Sequence, residues 1–90
     1  MKILQTRSFK NTVKRLHKNQ KADLDRAVRA IIEDPSAGDQ KKGDLVDVRV
    51  YKFKIAGQLM LLAYQYEGNT LTLTLLALGS HENFYRDLKR

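Results

Sequence analysis

The sequence predicts an α+β domain in which a helical hairpin packs against a small, twisted antiparallel sheet. Apolar residues recur at helical spacing through residues 9–32, and from residue 45 they alternate with a period of two. An Asp-Pro pair at residues 34–35 separates the two patterns, because the residue before a proline disfavours helical dihedral angles. Ninety residues suffice for one modest core, so we expect a single domain over residues 1–90.

The first third of the chain predicts a strand followed by an amphipathic helix. Residues 2–5 form a short first strand in this interpretation, and Thr6 or Ser8 caps the helix. The apolar stripe of this helix, at positions i, i+4 and i+7, consists of Phe9, Val13 and Leu16. A second stripe, at a spacing of four, consists of Lys10, Lys14 and Lys18. The helix is therefore expected to be cationic on its outer surface.

A second helix follows a predicted break near Lys18 and Asn19. Its buried stripe is expected to contain Leu24, Val28, Ile31 and Ile32. His17 is expected at the end of the first helix, where a cation suits the helix dipole, and we interpret it as structural. The two helices should pack as an antiparallel hairpin.

The second half of the chain predicts three further strands, which gives a sheet of about four. Alternation begins at residues 45–51 and continues to Gly57, residues 59–66 form a second apolar run, and residues 67–69 suggest a hairpin turn. In the last strand, residues 70–78, the leucines expected to face the helices are Leu71, Leu73 and Leu75. A short C-terminal helix is predicted from Glu82 onward.

Composition limits the class of protein. The formal charge of +7 and pI near 9.9 favour a polyanionic partner, such as nucleic acid or an acidic protein. Seven cations and no acid lie in residues 2–21, which indicates either a basic binding face or an ordinary solvated helix surface. The lack of cysteine, of a signal peptide and of an apolar run long enough to span a bilayer predicts a cytoplasmic protein without a membrane partner.

Two lysines are the first candidates for chemistry. Lys52 and Lys54 are two residues apart on a predicted strand, so their side chains should leave the same face of the sheet. Cleavage of an RNA phosphodiester needs a base for the 2'-hydroxyl, an acid for the departing 5'-oxygen and positive charge at the phosphorane. These lysines and Arg49 could supply the charge, and one lysine could supply the base. The alternative is a plain exposed strand whose lysines discourage edge pairing.

The C-terminal segment supplies the other candidates. His81 carries an imidazole, which titrates near neutral pH and can act as acid or base. A helical turn from Glu82 would bring His81, Tyr85 and Arg86 to one end of the sheet. The alternative is a tail that docks through aromatic residues, with His81 as a cap or surface residue. Two distant histidines, no cysteine and no acidic cluster argue against a metal site, and we expect no cofactor.

The order of these features resembles the RelE/ParE superfamily of type II toxin-antitoxin toxins over essentially the whole chain. The resemblance rests on the basic helical hairpin and on four segments, residues 34–38 (DPSAG), 48–54 (VRVYKFK), 61–64 (LLAY) and 78–81 (LGSH), with Tyr85 beyond them. The tail is most similar to the RelE and YafQ branches, whose members are ribosome-dependent mRNA interferases. The resemblance implies a RelE-like fold with a cleavage site on the concave sheet face and the C-terminal segment.

The resemblance also implies roles for single residues. Lys52 and Lys54 match the strand lysines that bind and activate the mRNA backbone. His81 matches the position of the general acid, and Tyr85 matches the aromatic residue that stacks on or orients the mRNA.

Two departures from the family pattern concern phosphate stabilisation and the base. Residues 60–62 (MLL) are apolar where RelE carries a further arginine, so Arg49 or Arg86 would have to stabilise the phosphate instead. The additional histidines of YafQ are also absent from the middle strands. Lys54 or Lys52 is then the remaining candidate for the general base.

The implied reaction is attack of the 2'-hydroxyl on the scissile phosphate without metal, which leaves a 2',3'-cyclic phosphate and a 5'-hydroxyl. The ribosome would orient the codon, and Lys10, Lys14 and Lys18 would contact ribosomal RNA. The implied partners are mRNA, the ribosome and a cognate antitoxin, with operator DNA bound only through the antitoxin complex. Two rival functions stay open, namely a ParE-like poison of DNA gyrase and a non-catalytic nucleic-acid-binding module.

Overall fold

The computed structural model describes residues 1–41 and 48–80, which form two helices and five strands. In chain order, the elements are β1 (Lys2–Gln5), α1 (Arg7–Lys14), α2 (Lys18–Glu33), β2 (Asp39–Gln40), β3 (Arg49–Ile55), β4 (Gln58–Glu67) and β5 (Thr72–Ser80). The predicted C-terminal helix and the start, at residue 45, of the second predicted strand lie outside the described residues. No helix in the described part is long and apolar enough to cross a membrane.

The five strands form one mixed sheet in the order β1-β5-β4-β3-β2. The predicted α+β class and the helices packed on a sheet are confirmed. The all-antiparallel prediction is wrong at one edge, because β1 runs parallel to β5, with Lys2 beside Thr72 and Gln5 beside Leu75. The predicted strand count is also corrected, since the two residues of β2, which was not predicted, pair with β3.

Helix α1 begins as predicted, and α2 begins slightly earlier than predicted. The Oγ1 atom of Thr6 accepts a hydrogen bond from the Phe9 N–H over 3.1 Å and donates one to the Leu76 carbonyl oxygen. His17 is the N-cap of α2, not the end of α1, and its N–H donates to Oε1 of Gln20 over 2.8 Å. Lys18 is therefore the first residue of α2, and the predicted lysine stripe is divided between two helices.

The main core lies between the helices and the sheet. Its buried members are Phe9, Leu24, Ile31, Ile55, Leu62, Tyr64, Leu73, Leu75 and Leu78. A second cluster consists of Val48, Val50, Leu61 and Ala63, against which Leu76 and Ala77 pack. The prediction that Leu71 faces the helices is wrong, because its side chain is 55% exposed and its φ of 50° places it in the turn before β5.

A two-residue turn joins β3 to β4. Ala56 and Gly57 both have positive φ, at 49° and 83°, which is the backbone geometry that matches the twist of a tight hairpin. From α2, Asp23 reaches this turn, and its Oδ2 accepts a hydrogen bond from the Ala56 N–H over 3.0 Å. The hairpin tip is therefore tied to α2, although alanine strongly disfavours left-handed dihedral angles.

We expect Ala56→Gly to raise the free energy of unfolding by about 1 kcal/mol, since glycine adopts positive φ without a Cβ clash. Gly57→Ala is the matched control and should lower it by a similar amount. A Cβ at Gly57 would meet no atom within 4 Å, so that loss would be conformational and not steric. Urea denaturation of both variants measures the effect, and an unchanged or less stable Ala56→Gly protein would contradict it.

Candidate functional site

Lys52 and Lys54 lie on the face of the sheet opposite the helices. The alternate residues Tyr51 and Phe53 pack against the main core with their rings stacked, at a centroid separation of 6.1 Å. Val50, which shares the lysines' side of β3, belongs to the second cluster instead. Both lysine side chains are exposed. The strand therefore presents two adjacent ammonium groups to solvent on one face.

The cross-strand neighbours of the lysine pair are apolar residues of β4. Lys52 lies opposite Leu61, which is 0% exposed, and Lys54 lies opposite Leu59, which is 39% exposed. Because both lysines are exposed, an anion can approach the two ammonium groups from solvent, and two adjacent positive charges attract a phosphate more strongly than one does. This side of the hairpin can therefore hold an anionic ligand.

No described carboxylate neutralises the pair. Within residues 1–41 and 48–80, the ion pair formed is that between Arg26 and Asp23 on α2. Neither Lys52 nor Lys54 lies within 4 Å of a described acidic oxygen. Both charges are consequently available to an external anion.

Strand β5 ends at the level of the lysine pair. Ser80 is in register with Met60 of β4, and Met60 is in register with Phe53, the residue between the two lysines. Two strand spacings, about 10 Å, therefore separate the backbone of Ser80 from the backbone between the lysines. The predicted site residues His81, Tyr85 and Arg86 follow Ser80 in the chain and lie outside the described residues.

The structure does not bring Arg49 to the lysine pair. Arg49 occupies an odd position of β3 and lies on the opposite face, with Tyr64 as its cross-strand neighbour. Its Nη1 donates to the Gly38 carbonyl oxygen over 2.9 Å. Arg49 also lines a cleft of about 470 Å³ together with Tyr66 and Glu67. Its position supports a role in holding the α2–β2 connection, and not direct contact with a phosphate at the pair.

The helix lysines are also separate from the pair. Lys10, Lys14 and Lys18 are exposed on the helices, which cover the other face of the sheet. The molecule therefore presents cations on both sides, one set on the helices and one on the hairpin of β3 and β4.

The contacts of two side chains, those of Asp23 and Tyr64, were not predicted from the sequence. Asp23 fixes the hairpin tip two residues beyond Lys54, and a single acid on a helix carries no signal for such a contact. Tyr64 is fully buried and connects Pro35 and Gly38 to the sheet through its hydroxyl group. Its place within an apolar run indicated burial, but not the hydrogen bonds. Among the described residues, no group of three or more acidic or histidine side chains could hold a metal ion.

A comparison with protein families shows which family the chain belongs to. Residues 3–89 match the family described as ParE-like toxin of type II bacterial toxin-antitoxin system. The chain belongs to this family. The toxin has no match among curated proteins.

Solved structures show the same fold for the toxin. The intact Escherichia coli RelBE toxin-antitoxin complex contains a chain that matches with a TM-score of 0.72 and 16% identity, over 90% of the toxin and 96% of that chain. The YoeB/ParE toxin from Agrobacterium tumefaciens gives a TM-score of 0.71 and 19% identity, over 90% and 99%. A free mutant of E. coli RelE gives 0.74 and 14%, over 98% and 88%. The predicted membership of the RelE/ParE superfamily is confirmed.

Proposed function

We propose that this toxin is a ribosome-dependent mRNA endoribonuclease that inhibits translation. The observation that carries the proposal is the exposed pair Lys52 and Lys54, which has no described acidic partner and lies on the sheet face opposite the helices. Two adjacent exposed ammonium groups suit the dianionic phosphorane that forms when an RNA phosphodiester is attacked. The fold shared with E. coli RelE adds support, although fold alone does not establish chemistry.

The proposed reaction needs no metal. Lys54 or Lys52 removes the proton of the 2'-hydroxyl, the 2'-oxygen attacks the adjacent phosphorus, and the bond to the 5'-oxygen breaks. His81 donates a proton to the departing 5'-oxygen, so that the products are a 2',3'-cyclic phosphate and a 5'-hydroxyl. Tyr85 stacks on a base and orients the strand. Arg86 and the second lysine stabilise the charge on the phosphorane.

The cations on the helices have a separate role in this proposal. Lys10, Lys14 and Lys18 bind ribosomal RNA phosphates while the opposite sheet face meets the mRNA. The toxin then lies between two anionic surfaces. The ribosome supplies the orientation of the scissile codon that so few protein groups cannot supply alone.

The proposed partner in the cell is a cognate antitoxin that neutralises the toxin in the cytoplasm. The fold shared with the toxin of the E. coli RelBE complex supports a protein antitoxin, and the charge of +7 favours an acidic one. The antitoxin complex, and not the toxin alone, would bind operator DNA.

The rival function is poisoning of DNA gyrase, and the ParE-like family description keeps it in view. A gyrase poison needs no general acid or base, so the unpaired lysines would then serve as an ordinary charged surface. Primer extension on mRNA from cells that briefly express the toxin separates the two functions. We expect cuts in register with codons that disappear from untranslated messages. Intact mRNA together with gyrase-dependent DNA breaks would overturn the proposal.

A further inference from the structure

A cleft of about 170 Å³ lies between α2 and β3, close to the lysine pair. Tyr51 and Phe53, whose stacked rings are half-buried, line it on the side of β3. Arg26 lines it on the side of α2, with a side chain that is 72% exposed. Lys54 also lines the cleft, although its side chain leaves the other face of the strand. The cleft therefore reaches the edge of β3 and opens toward the lysine pair.

The edge of β3 beside this cleft presents backbone hydrogen-bonding groups. The Val48 carbonyl oxygen accepts a hydrogen bond from the Lys41 N–H over 2.9 Å, so residue 48 directs its backbone groups toward β2. Because this direction alternates along a strand, Lys52 and Lys54 direct their N–H and C=O groups the same way. The pairing of β2 is confined to residues 49–50 of β3, and no other described strand pairs with this edge. Each of the two lysines therefore offers a backbone donor and a backbone acceptor side by side.

The open stretch of this edge is short. At one end β2 occupies the edge, and at the other end the hairpin tip is fixed, because Oδ2 of Asp23 accepts a hydrogen bond from the Ala56 N–H over 3.0 Å. The two residues with outward backbone groups, Lys52 and Lys54, are about 7 Å apart along the strand. An added strand of typical length, about 5 to 6 residues, would overrun both ends. A single planar group that carries both a donor and an acceptor fits the stretch better.

A nucleobase is such a group, and its chemistry matches the cleft. Unpaired RNA bases stack on aromatic rings and on arginine side chains, and they form hydrogen bonds through donors and acceptors at their edges. We propose that the cleft binds one unpaired nucleobase of an RNA strand, between Arg26 and the rings of Tyr51 and Phe53. The base meets the backbone edge of β3, while its flanking phosphates meet the ammonium groups of Lys52 and Lys54. The proposal rests on the proposed function only in taking RNA as the source of the base.

Asp23 holds Arg26 beside the cleft. The carboxylate of Asp23 accepts a hydrogen bond from Nη2 of Arg26 through Oδ1, while Oδ2 bonds to the Ala56 N–H. A guanidinium group carries five N–H donors, so donors other than the one bonded to Asp23 can face a ligand. A side chain that is already oriented loses less conformational entropy when a base stacks on it. Asp23 is therefore a positioning residue for Arg26.

The test compares small ligands with and without a base. The probes are the 3',5'-bisphosphates of adenosine, guanosine, cytidine and uridine, and the control ligand is ribose 3',5'-bisphosphate. None of them contains a phosphodiester bond that the toxin could cleave. NMR titration of the full chain gives both the Kd and the position of the ligand. We expect at least one base to lower the Kd about tenfold or more relative to the control ligand, because stacking of a base contributes an effect of this order. Both kinds of ligand should shift the Lys52 and Lys54 amides, and only those with a base should shift the ring protons of Tyr51 and Phe53.

Arg26→Ala and Arg29→Ala form a matched pair of variants. Each removes one exposed arginine from α2, and of the two only Arg26 lines the cleft. We expect Arg26→Ala to reduce the gain in affinity due to the base below about threefold, with the Kd of ribose bisphosphate changed less than about twofold. Arg29→Ala should keep the full gain. The Ala56 amide shift of free Arg26→Ala shows whether the contact with Asp23 persists, and if it does not, the ring shifts of the wild type decide.

Three results would overturn the inference. They are equal affinities for ligands with and without a base, a gain from the base that folded Arg26→Ala retains, and base-dependent shifts that lie away from the cleft. Shifts of the Lys52 and Lys54 amides with an acidic protein partner, but with no nucleotide, would overturn it too. Failure of the proposed nuclease function is distinguishable, because these titrations contain no ribosome and no cleavable bond. Codon-registered cuts without any effect of the base on affinity would remove this inference alone.

Discussion

The double variant Lys52→Ala/Lys54→Ala is expected to cleave ribosome-bound mRNA at least about 100-fold more slowly than the wild type. Both side chains are exposed, so their removal should leave the free energy of unfolding nearly unchanged. The loss would then reflect chemistry, because it removes the proposed base and the positive charge facing the phosphorane. Single-turnover cleavage of an mRNA on purified ribosomes, at saturating toxin, measures the rate.

The matched control for this variant is Lys21→Ala/Arg29→Ala. It removes the same two charges, but from exposed positions on α2. Its cleavage rate at saturating toxin should stay within about threefold of the wild type, since screened charges on the far side of the sheet contribute little to the reaction. Equal losses in the two double variants would mean that net charge, and not the lysine pair, carries the activity. Full toxicity of the Lys52→Ala/Lys54→Ala variant would favour the gyrase mechanism.

Periodicity was sufficient to predict the parts of the site that lie within one strand. A period of two places Lys52 and Lys54 on one face whatever the rest of the fold does. The same rule places Arg49 on the other face, since it is an odd number of residues from both. The prediction grouped Arg49 with Lys52 and Lys54 because all three are cations, although Arg49 belongs to the other face of the strand. In the structure, Arg49 donates a hydrogen bond to Gly38 instead.

The features that could not be predicted depend on contacts between distant parts of the chain. The parallel pairing of Lys2 with Thr72 joins residues at opposite ends of the sequence, and nothing local in residues 2–5 specifies its direction. The two-residue β2 is too short for any periodicity. Leu71 continued an alternating pattern, but the turn before β5 extends two residues further than the pattern suggested, because β5 begins at Thr72.

The boundary between the two helices was also predicted wrongly, because His17 suits either the end of one helix or the start of the next. A histidine after a cationic helix suits a C-terminus, yet Gln20 lies three residues beyond His17 and completes a capping interaction at the start of α2. That spacing was visible in the sequence. Together with the end of the apolar stripe at Leu16, the spacing from His17 to Gln20 predicts the start of α2 correctly.

The second large effect concerns the stability of the connection between α2 and the sheet. Tyr64 is 0% exposed, and its hydroxyl group donates to the Pro35 carbonyl oxygen over 2.7 Å and accepts from the Gly38 N–H over 2.9 Å. A Cβ at Gly38 would come within 2.7 Å of that oxygen, so the ring and the loop fit closely. The Tyr64 hydroxyl therefore satisfies two backbone groups of a segment that the helix and sheet both depend on.

We expect Tyr64→Phe to lower the free energy of unfolding by about 2 to 3 kcal/mol, because a buried N–H and a carbonyl oxygen lose their partner. Tyr66→Phe is the matched control, since Tyr66 is only half buried and its hydroxyl group bonds to no described residue. That substitution should change stability by less than about 0.5 kcal/mol. Urea denaturation at neutral pH measures both, and equal effects would contradict the assigned role of the Tyr64 hydroxyl.

Alkaline pH provides an independent measurement of the same group. Burial raises the pKa of Tyr64 above its usual value, although the hydrogen bond from Gly38 opposes this shift. The folded state then retains the phenolic proton at a pH where the unfolded chain, whose tyrosines titrate near about 10, has lost it. Stability from this group is thus fully present below about pH 10 and is lost as pH rises further through the folded pKa. Unfolding curves between neutral pH and about pH 11 should therefore show a steeper alkaline loss for the wild type than for Tyr64→Phe, and parallel losses would mean that Tyr64 ionises as readily in the folded protein as in the unfolded chain.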